Sequence, residues 1–337
     1  MPQEVSTRYD ATWLFGLGCR ADWDAADQLT VQPSPVRFTG FEGTITAADA
    51  FTGALFAASD GIDLYDGSGM KTNTEPLGAN VTTSQAVAFI GRPGSASDFY
   101  LVANAANESG VAGLFVTTLS CGVVTPSRPP ELLLGTETFT EALATVRHAN
   151  NVDRWVVSIA PEGVAAVPLT GAGFGTPIVS PWNGALATVN PAQRTSSVFA
   201  RDRRTIAITA EERGLVVGTF DAATGTASAL EAIPLPPHTF LYSAAFSADQ
   251  TKLYVSEWAG RFWQVDLTGG HAVTDLGVAG GAVRLGIDQR IYVAQYGTST
   301  LTVVTNPDAP AWALLIDSVA LPDGCTSSYG FPGVGDL

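Results

Sequence analysis

The chain has 337 residues, with 32 acidic side chains against 17 basic ones and a formal net charge of -15. That balance argues against a nucleic-acid partner and against an anionic membrane surface, because phosphate binding needs clustered Lys and Arg. No run of about 18 apolar residues occurs, so membrane insertion through a helix is not expected.

With 46% hydrophobic residues, 35 glycines and 20 prolines, the composition suits a sizeable core of short strands and tight turns. The opening Met1–Val5 has no basic region, apolar stretch or small-residue cleavage site, so it reads as no signal peptide. The chain is read either as made for the cytoplasm or as one whose leader has been removed. Residues 1–10 are taken as a tail outside the fold.

In chain order, TWLFGLGC (12–19) and QLTVQP (28–33) read as strands. Six segments of one pattern follow, each an apolar strand, a polar turn, a second apolar strand ending in a small residue, and a loop. They are ITAADAFTGALFAASDG (45–61), FIGRPGSASDFYLVANA (89–105), TVRHANNVDRWVVSIAPEG (145–163), FARDRRTIAITAEERG (199–214), FSADQTKLYVSEWAG (246–260) and LGIDQRIYVAQYG (285–297). Phe56, Leu101, Val156, Ala207, Tyr254 and Tyr292 occupy equivalent places, separated by 45, 55, 51, 47 and 38 residues. That spacing fits a four-stranded propeller blade of roughly 40–50 residues. Further strands follow each pair, as in RFWQVDL (261–267) and LTVVT (301–305). Turns such as DAATG (221–225) carry Asp, Thr and Gly, as tight hairpins require.

The expected fold is therefore all-β: one WD40-like β-propeller over residues 1–337, with seven four-stranded blades. Six blades come from the repeats. The seventh is expected from the two chain ends, with GFPGVGDL (330–337) pairing with the N-terminal strands and removing the open sheet edge. TWLFGLGC is placed second in that closing blade and the C-terminal strand first.

The segments WLFG, VRHANNVDRWVVSIA (146–160), FSADQTKLYVS (246–256), DQRIYVAQYG (288–297), VVTNPDAP (303–310) and GFPGVGDL resemble the secreted propellers of bacterial gliding and cell-surface proteins. Proteins of that kind often precede a type IX secretion sorting domain. RHAN-x-x-D-x-W (147–155) is the most specific part of the resemblance. It implies a secreted or surface-exposed binding or scaffold module and supplies no catalytic residues.

Nucleophilic catalysis has little support. There is no G-x-S-x-G elbow. His148 sits in a turn, His238 in a Pro-rich loop and His271 after a Gly-Gly turn. The loops after each second strand carry Asp60, Glu108, Glu162, Glu211 with Glu212, Glu257 and Gln295. Converging there, such oxygens would suit a divalent cation acting as Lewis acid in a lactonase-type propeller, with Asp60, Glu108, Glu162, Glu211 and Glu257 as the metal candidates. Solvated charge on exposed loops is the plainer reading. No cofactor is otherwise expected, and Ca2+ or another divalent cation is the one ion considered.

Trp258 and Tyr296 fall in equivalent loops of adjacent blades. With Glu257 and Gln295 they suit a glycan or protein anchor, if they are not blade-edge packing. Trp13, Trp23, Trp155, Trp182, Trp263 and Trp312 read as blade packing. Cys19 and Cys325 flank the proposed seam. Two readings stay open for them: a disulfide, which needs Cα atoms within about 7 Å, or three separate buried thiols counting Cys121.

The expected function is a non-enzymatic interaction or scaffold module. It would bind a protein or glycan partner at a cell surface or in an extracellular or phage-like assembly. The alternative is a metal-dependent hydrolase.

Overall fold

The structure is a computed structural model that describes residues 8–34, 36, 39–49, 51–95, 98–106, 113–120, 124, 126, 131–134, 139–186, 189, 194–237, 239–278 and 280–333. Glu108, Cys121 and His238, named above, lie outside these residues, as does the side chain of Trp312.

Among the described residues the strands form seven sheets, arranged as a seven-bladed β-propeller. Blade I holds Thr12–Leu17, Cys19–Trp23, Leu29–Pro33 and the short Thr39–Gly40. Blade II holds Thr44–Ala48, Leu55–Ser59, Leu64–Asp66 and Pro332–Gly333. Blade III runs Val87–Gly91, Asp98–Asn104, Leu114–Ser120 and Glu131–Leu134. Blade IV runs Ala144–Arg147, Arg154–Ala160, Gly163–Thr170 and Gly173–Phe174, with Ile178–Pro181 as a fifth strand. Blade V comprises Thr195–Phe199, Thr205–Ala210, Gly214–Asp221 and Thr226–Ile233. Blade VI comprises Leu241–Phe246, Lys252–Glu257, Arg261–Asp266 and Val273–Val278. Blade VII comprises Val283–Leu285, Ile291–Val293, Thr300–Val304 and Ile316–Ala320.

The six equivalent residues named above all lie in second strands of their blades. The strands are apolar on both faces because each face meets a neighbouring blade. Successive side chains point to opposite faces: Val156 packs between blades III and IV, while Trp155 and Val157 pack between IV and V. Apolar clusters of this kind fill each of the seven gaps, ending with Trp13, Phe15 and Trp23 of blade I against Tyr292 and Leu301 of blade VII. The ring is closed by packing all the way round.

The turn from first to second strand repeats too. It contains a residue of positive φ in every blade: Gly18, Gly53, Gly94, Asn151, Arg203, Gln250 and Gln289. Four of the seven are not glycine, so Asn or Asp side chains support the backbone locally. In the RHAN-x-x-D-x-W element, Asn150 Oδ1 accepts the Val152 and Asp153 amides at 2.9 and 2.9 Å. His148 Nδ1 accepts the Asn150 amide (3.0 Å), and the His148 ring lies on Trp155. This element is a hairpin and an inter-blade anchor, with Trp155 Nε1 donating to Ala222 O of blade V.

The seam differs in one respect from the expectation. Leu17 and Thr326 exchange backbone hydrogen bonds of 2.8 and 3.2 Å, so N- and C-terminal segments do pair. The last strand, however, joins blade II: Pro332 and Gly333 run parallel to Thr44 and Ile45. The tail crosses the seam at Thr326 and continues along the innermost strand of the next blade. Gly330 permits the approach, since a Cβ there would stand 1.4 Å from Glu42 O. Residues 334–337 lie outside the described residues.

Cys19 and Cys325 form a disulfide across the seam, with Cα atoms 4.9 Å apart. Nearby, Arg284 of blade VII pairs with Asp10 and lies 4.5 Å from the centre of the Trp13 ring. Trp13 Nε1 also donates to Asp10 (2.8 Å). The end of the segment read as a tail is thus tied to the ring.

Candidate functional site

First and second strands are antiparallel, so the residues entering each first strand lie beside those leaving the second. The registers Ile45↔Ser59, Thr195↔Ala210 and Leu241↔Glu257 show this. Phe41, Glu42, Ser84, Gln85, Glu141, Arg194 and Thr239–Tyr242 therefore share one end of the ring with Asp60, Glu162, Glu211, Glu257, Trp258, Gln295 and Tyr296. The seam segment delivers Tyr329 to the same end, its amide bonded to Phe41 O (3.1 Å).

The aromatic residues form a ladder. Trp258 and Tyr329 stack with centroids 4.8 Å apart and planes at 26°, and Tyr329 and Tyr296 stack at 4.8 Å and 8°. The Arg194 guanidinium stands 5.1 Å from the centre of the Trp258 ring. Phe41 meets Tyr296 and Tyr329 edge-on, at 5.9 and 5.6 Å. Trp258 and Tyr329 are half-buried, whereas Tyr296 is 57% exposed. Phe240, whose carbonyl accepts the Trp258 amide at 2.9 Å, is 37% exposed beside them.

Buried polar side chains adjoin the ladder. Tyr242, Glu42 and Glu141 are 2%, 1% and 0% exposed. Tyr242 packs against Tyr329 at 6.4 Å between centroids. Burial, and then the charges of Glu42 and Glu141, push the Tyr242 phenol well above its usual value, so it stays protonated. Burial, followed by neighbouring Tyr296 and Glu42, raises Tyr329 too. Glu141 accepts the Ser84 amide (2.9 Å). Gln85 bridges three blades, accepting from the Leu143 and Ser197 amides at 2.9 and 2.9 Å and donating to Ser197 O at 2.9 Å. These bonds hold the inner strands of blades III, IV and V in fixed relation around the site.

The acidic candidates behave differently from one another. Glu257 is buried and caps its own loop: Oε1 accepts the Thr239 amide and hydroxyl (2.7 and 3.1 Å), and Oε2 accepts the Arg261 amide (2.7 Å). A Cβ on Gly260 would stand 2.2 Å from that Oε2, so the loop is built closely around the carboxylate. Asp60 is also buried and caps the Ile62 and Asp63 amides at 3.0 and 2.8 Å; burial raises its pKa. Glu211 pairs with Arg194 (3.4 Å), and Glu162 is exposed. Among the described residues, no three His, Cys, Asp or Glu side chains converge where a metal ion could be held. Gln295 is half-buried, and its amide donates to Ser327 Oγ at 3.1 Å.

Sequence reasoning reached Trp258 and Tyr296 but missed the ring between them. Tyr329 lies in the C-terminal tail, outside any repeat. Phe41, Glu42, Glu141, Arg194 and Tyr242 were also missed. A signal was available: each stands at or near the start of a first strand, and the antiparallel pairing brings that position beside the loops that were inspected.

No family model matches the chain, and no curated protein matches it. Solved structures do. A putative 6-phosphogluconolactonase from Bacteroides fragilis NCTC 9343 superposes with a TM-score of 0.57 at 10% identity, covering 96% of this chain and 98% of that one. Another putative 6-phosphogluconolactonase, from Bacteroides uniformis ATCC 8492, gives a TM-score of 0.46 at 10% identity, covering 97% of this chain and 83% of that one, and AztD of Citrobacter koseri gives 0.47 at 11% identity, covering 97% and 90%. The likeness to the Bacteroides fragilis protein supports the resemblance noted in the sequence only as far as the propeller, with nothing in it that points to a gliding or type IX family. At these identities the likeness shows the fold alone: the chain is a seven-bladed β-propeller.

Proposed function

We propose that the protein is a non-enzymatic recognition module that binds a glycan on the face carrying the aromatic ladder. One observation carries the reading: Tyr296 ends a stack of Arg194, Trp258, Tyr329 and Tyr296, and its ring is 57% exposed. Stacking from behind fixes the ring's plane, so a sugar face meets a rigid surface at little entropic cost. Arg194, over Trp258 at the other end of the stack, suits the hydroxyl groups of a ligand long enough to span it.

A metal-dependent lactone hydrolase needs several oxygens on one ion. Both oxygens of Glu257 and the Oδ1 of Asp60 instead accept from backbone amides, which favours the binding reading. The Cys19–Cys325 disulfide supports an oxidising, extracellular or surface-associated setting.

The test is a glycan array followed by titration with wild type and Tyr296→Ala. Loss of the stacking partner should weaken binding about 3- to 10-fold, on the scale of aromatic contacts. Binding unchanged by the substitution contradicts the reading. Capture of a protein instead, or hydrolysis of lactones with Ca2+ present, points to the competing functions.

A further inference from the structure

The ladder has two ends, and each is marked by an exposed aromatic side chain. Among the described residues three aromatic side chains are exposed: Phe51, in a hairpin at the opposite end of the propeller, and Tyr296 and Phe240 on the ladder's face. Tyr296 closes one end of the stack, and Arg194 closes the other, over Trp258. The steps from Arg194 through Trp258 and Tyr329 to Tyr296 are 5.1, 4.8 and 4.8 Å, about 15 Å along the stack. The aromatic planes stay within 26° and 8° of their neighbours, so the steps run in one direction.

Phe240 belongs to the Arg194 end. Its carbonyl accepts the Trp258 amide (2.9 Å), and the next amide, that of Leu241, donates to Glu211 O (3.1 Å). The Glu211 carboxylate in turn pairs with Arg194 at 3.4 Å. On the other side, Thr239 donates its amide and hydroxyl to Glu257 at 2.7 and 3.1 Å. The backbone is thus held at three successive residues, with Leu241 and Tyr242 buried and Phe240 left 37% exposed. A lone exposed apolar side chain needs no explanation. Phe240 differs because it is held out at one end of a stack whose other end is exposed as well. Beside Tyr296 the space is open too, since a Cβ on Gly297 would meet nothing within 4 Å.

We infer that the ladder takes an extended saccharide chain rather than a single terminal sugar, with one unit on Tyr296 and another unit of the same chain on Phe240. This rests on the glycan-binding reading of the same face and adds a second platform and a minimum length. Each unit of an extended β-1,4 chain advances by about one step of the stack, so roughly three or four units match the span. Once one platform is engaged, the second contact is intramolecular, and affinity rises with chain length until both are reached.

The test titrates the full, disulfide-bonded chain with disaccharides and hexasaccharides of three β-1,4 series: cello-, manno- and N-acetylchito-oligosaccharides. Wild type should bind the hexasaccharide of at least one series roughly 3- to 10-fold more tightly than its disaccharide, on the scale of one added aromatic contact. Phe240→Ala should remove most of that preference, and Phe240→Tyr, which restores a ring, should recover it. The melting temperature of Phe240→Ala should stay close to that of wild type, as for other substitutions at exposed positions.

Equal affinity of wild type for disaccharide and hexasaccharide, with Tyr296→Ala weakening both, overturns this inference and leaves the glycan reading standing. So does a length preference that persists unchanged in Phe240→Ala. A Phe240→Ala variant that melts well below wild type and is not recovered by Phe240→Tyr assigns the ring to packing and overturns the inference too. Binding of none of the probes by wild type contradicts the glycan reading itself, and this inference with it.

Discussion

Replacing both seam cysteines, as Cys19→Ser with Cys325→Ser, tests how the ring is held shut. The two residues are 306 positions apart, so the bond closes nearly the whole chain into one loop. In the chain-entropy model a loop of that length corresponds to about 5–6 kcal/mol, an upper figure, since native disulfides contribute roughly 2–5 kcal/mol when removed. Unfolding of a 337-residue chain carries an entropy on the order of 0.7 kcal/mol per kelvin. The double serine variant should therefore melt about 3–7 °C lower in a calorimeter under non-reducing conditions. Unfolding wild type in the presence of dithiothreitol should bring its transition down to the same temperature. The ring should still form, because the gap between blades VII and I is filled by Trp13, Trp23, Tyr292 and Phe331, and Leu17 and Thr326 remain paired. A double variant melting within 1 °C of wild type would refute the argument that the covalent seam limits unfolding.

Two further expectations follow from the same structure. Gly330→Ala should destabilise the protein by more than about 2 kcal/mol and weaken glycan binding, because a Cβ there meets Glu42 O and pushes Tyr329 out of the ladder; near-ultraviolet circular dichroism and titration check it, and an unperturbed spectrum counts against it. Asp49 and Asp221 are held below the usual carboxylate range chiefly by backbone amide bonds to Thr52 and Ala223, and Asp66 chiefly by the Ser68 hydroxyl. A depressed folded-state pKa gives stability that is present above the unfolded value of 3.8 and lost as pH falls below it. Asp10 and Asp60 have the opposite sign but are fewer. Thermal melts between pH 6 and pH 3 should thus fall chiefly below about pH 4, and a flat profile down to pH 3 would contradict this.

Much of the fold was legible because blade packing writes itself into sequence. A strand buried on both faces carries apolar side chains on both, as in Trp155, Val156 and Val157, and the repeat spacing followed from that. The hairpin turns were legible through Asp, Asn and Gly. The destination of the last strand was not. Pro332–Gly333 contributes two residues of pairing, and nothing in so short a stretch distinguishes blade I from blade II.

The site was half legible for a related reason. Trp258 and Tyr296 lie in the repeat and could be aligned, while Tyr329 reaches them only because the tail is pinned at Cys325 and Thr326. Glu257 looked like a solvated loop acid. Its burial and its bonds to the Thr239 and Arg261 amides depend on loop geometry that composition does not carry.

The central claim is that ligand binds at the end of the ring where first strands begin and second strands end. Amide hydrogen exchange with and without a bound hexasaccharide tests it most directly. The account predicts new protection at residues 239–242, 257–261, 294–298 and 326–330. Protection confined to the opposite hairpins, at residues 49–53, 148–153 and 202–205, would contradict it.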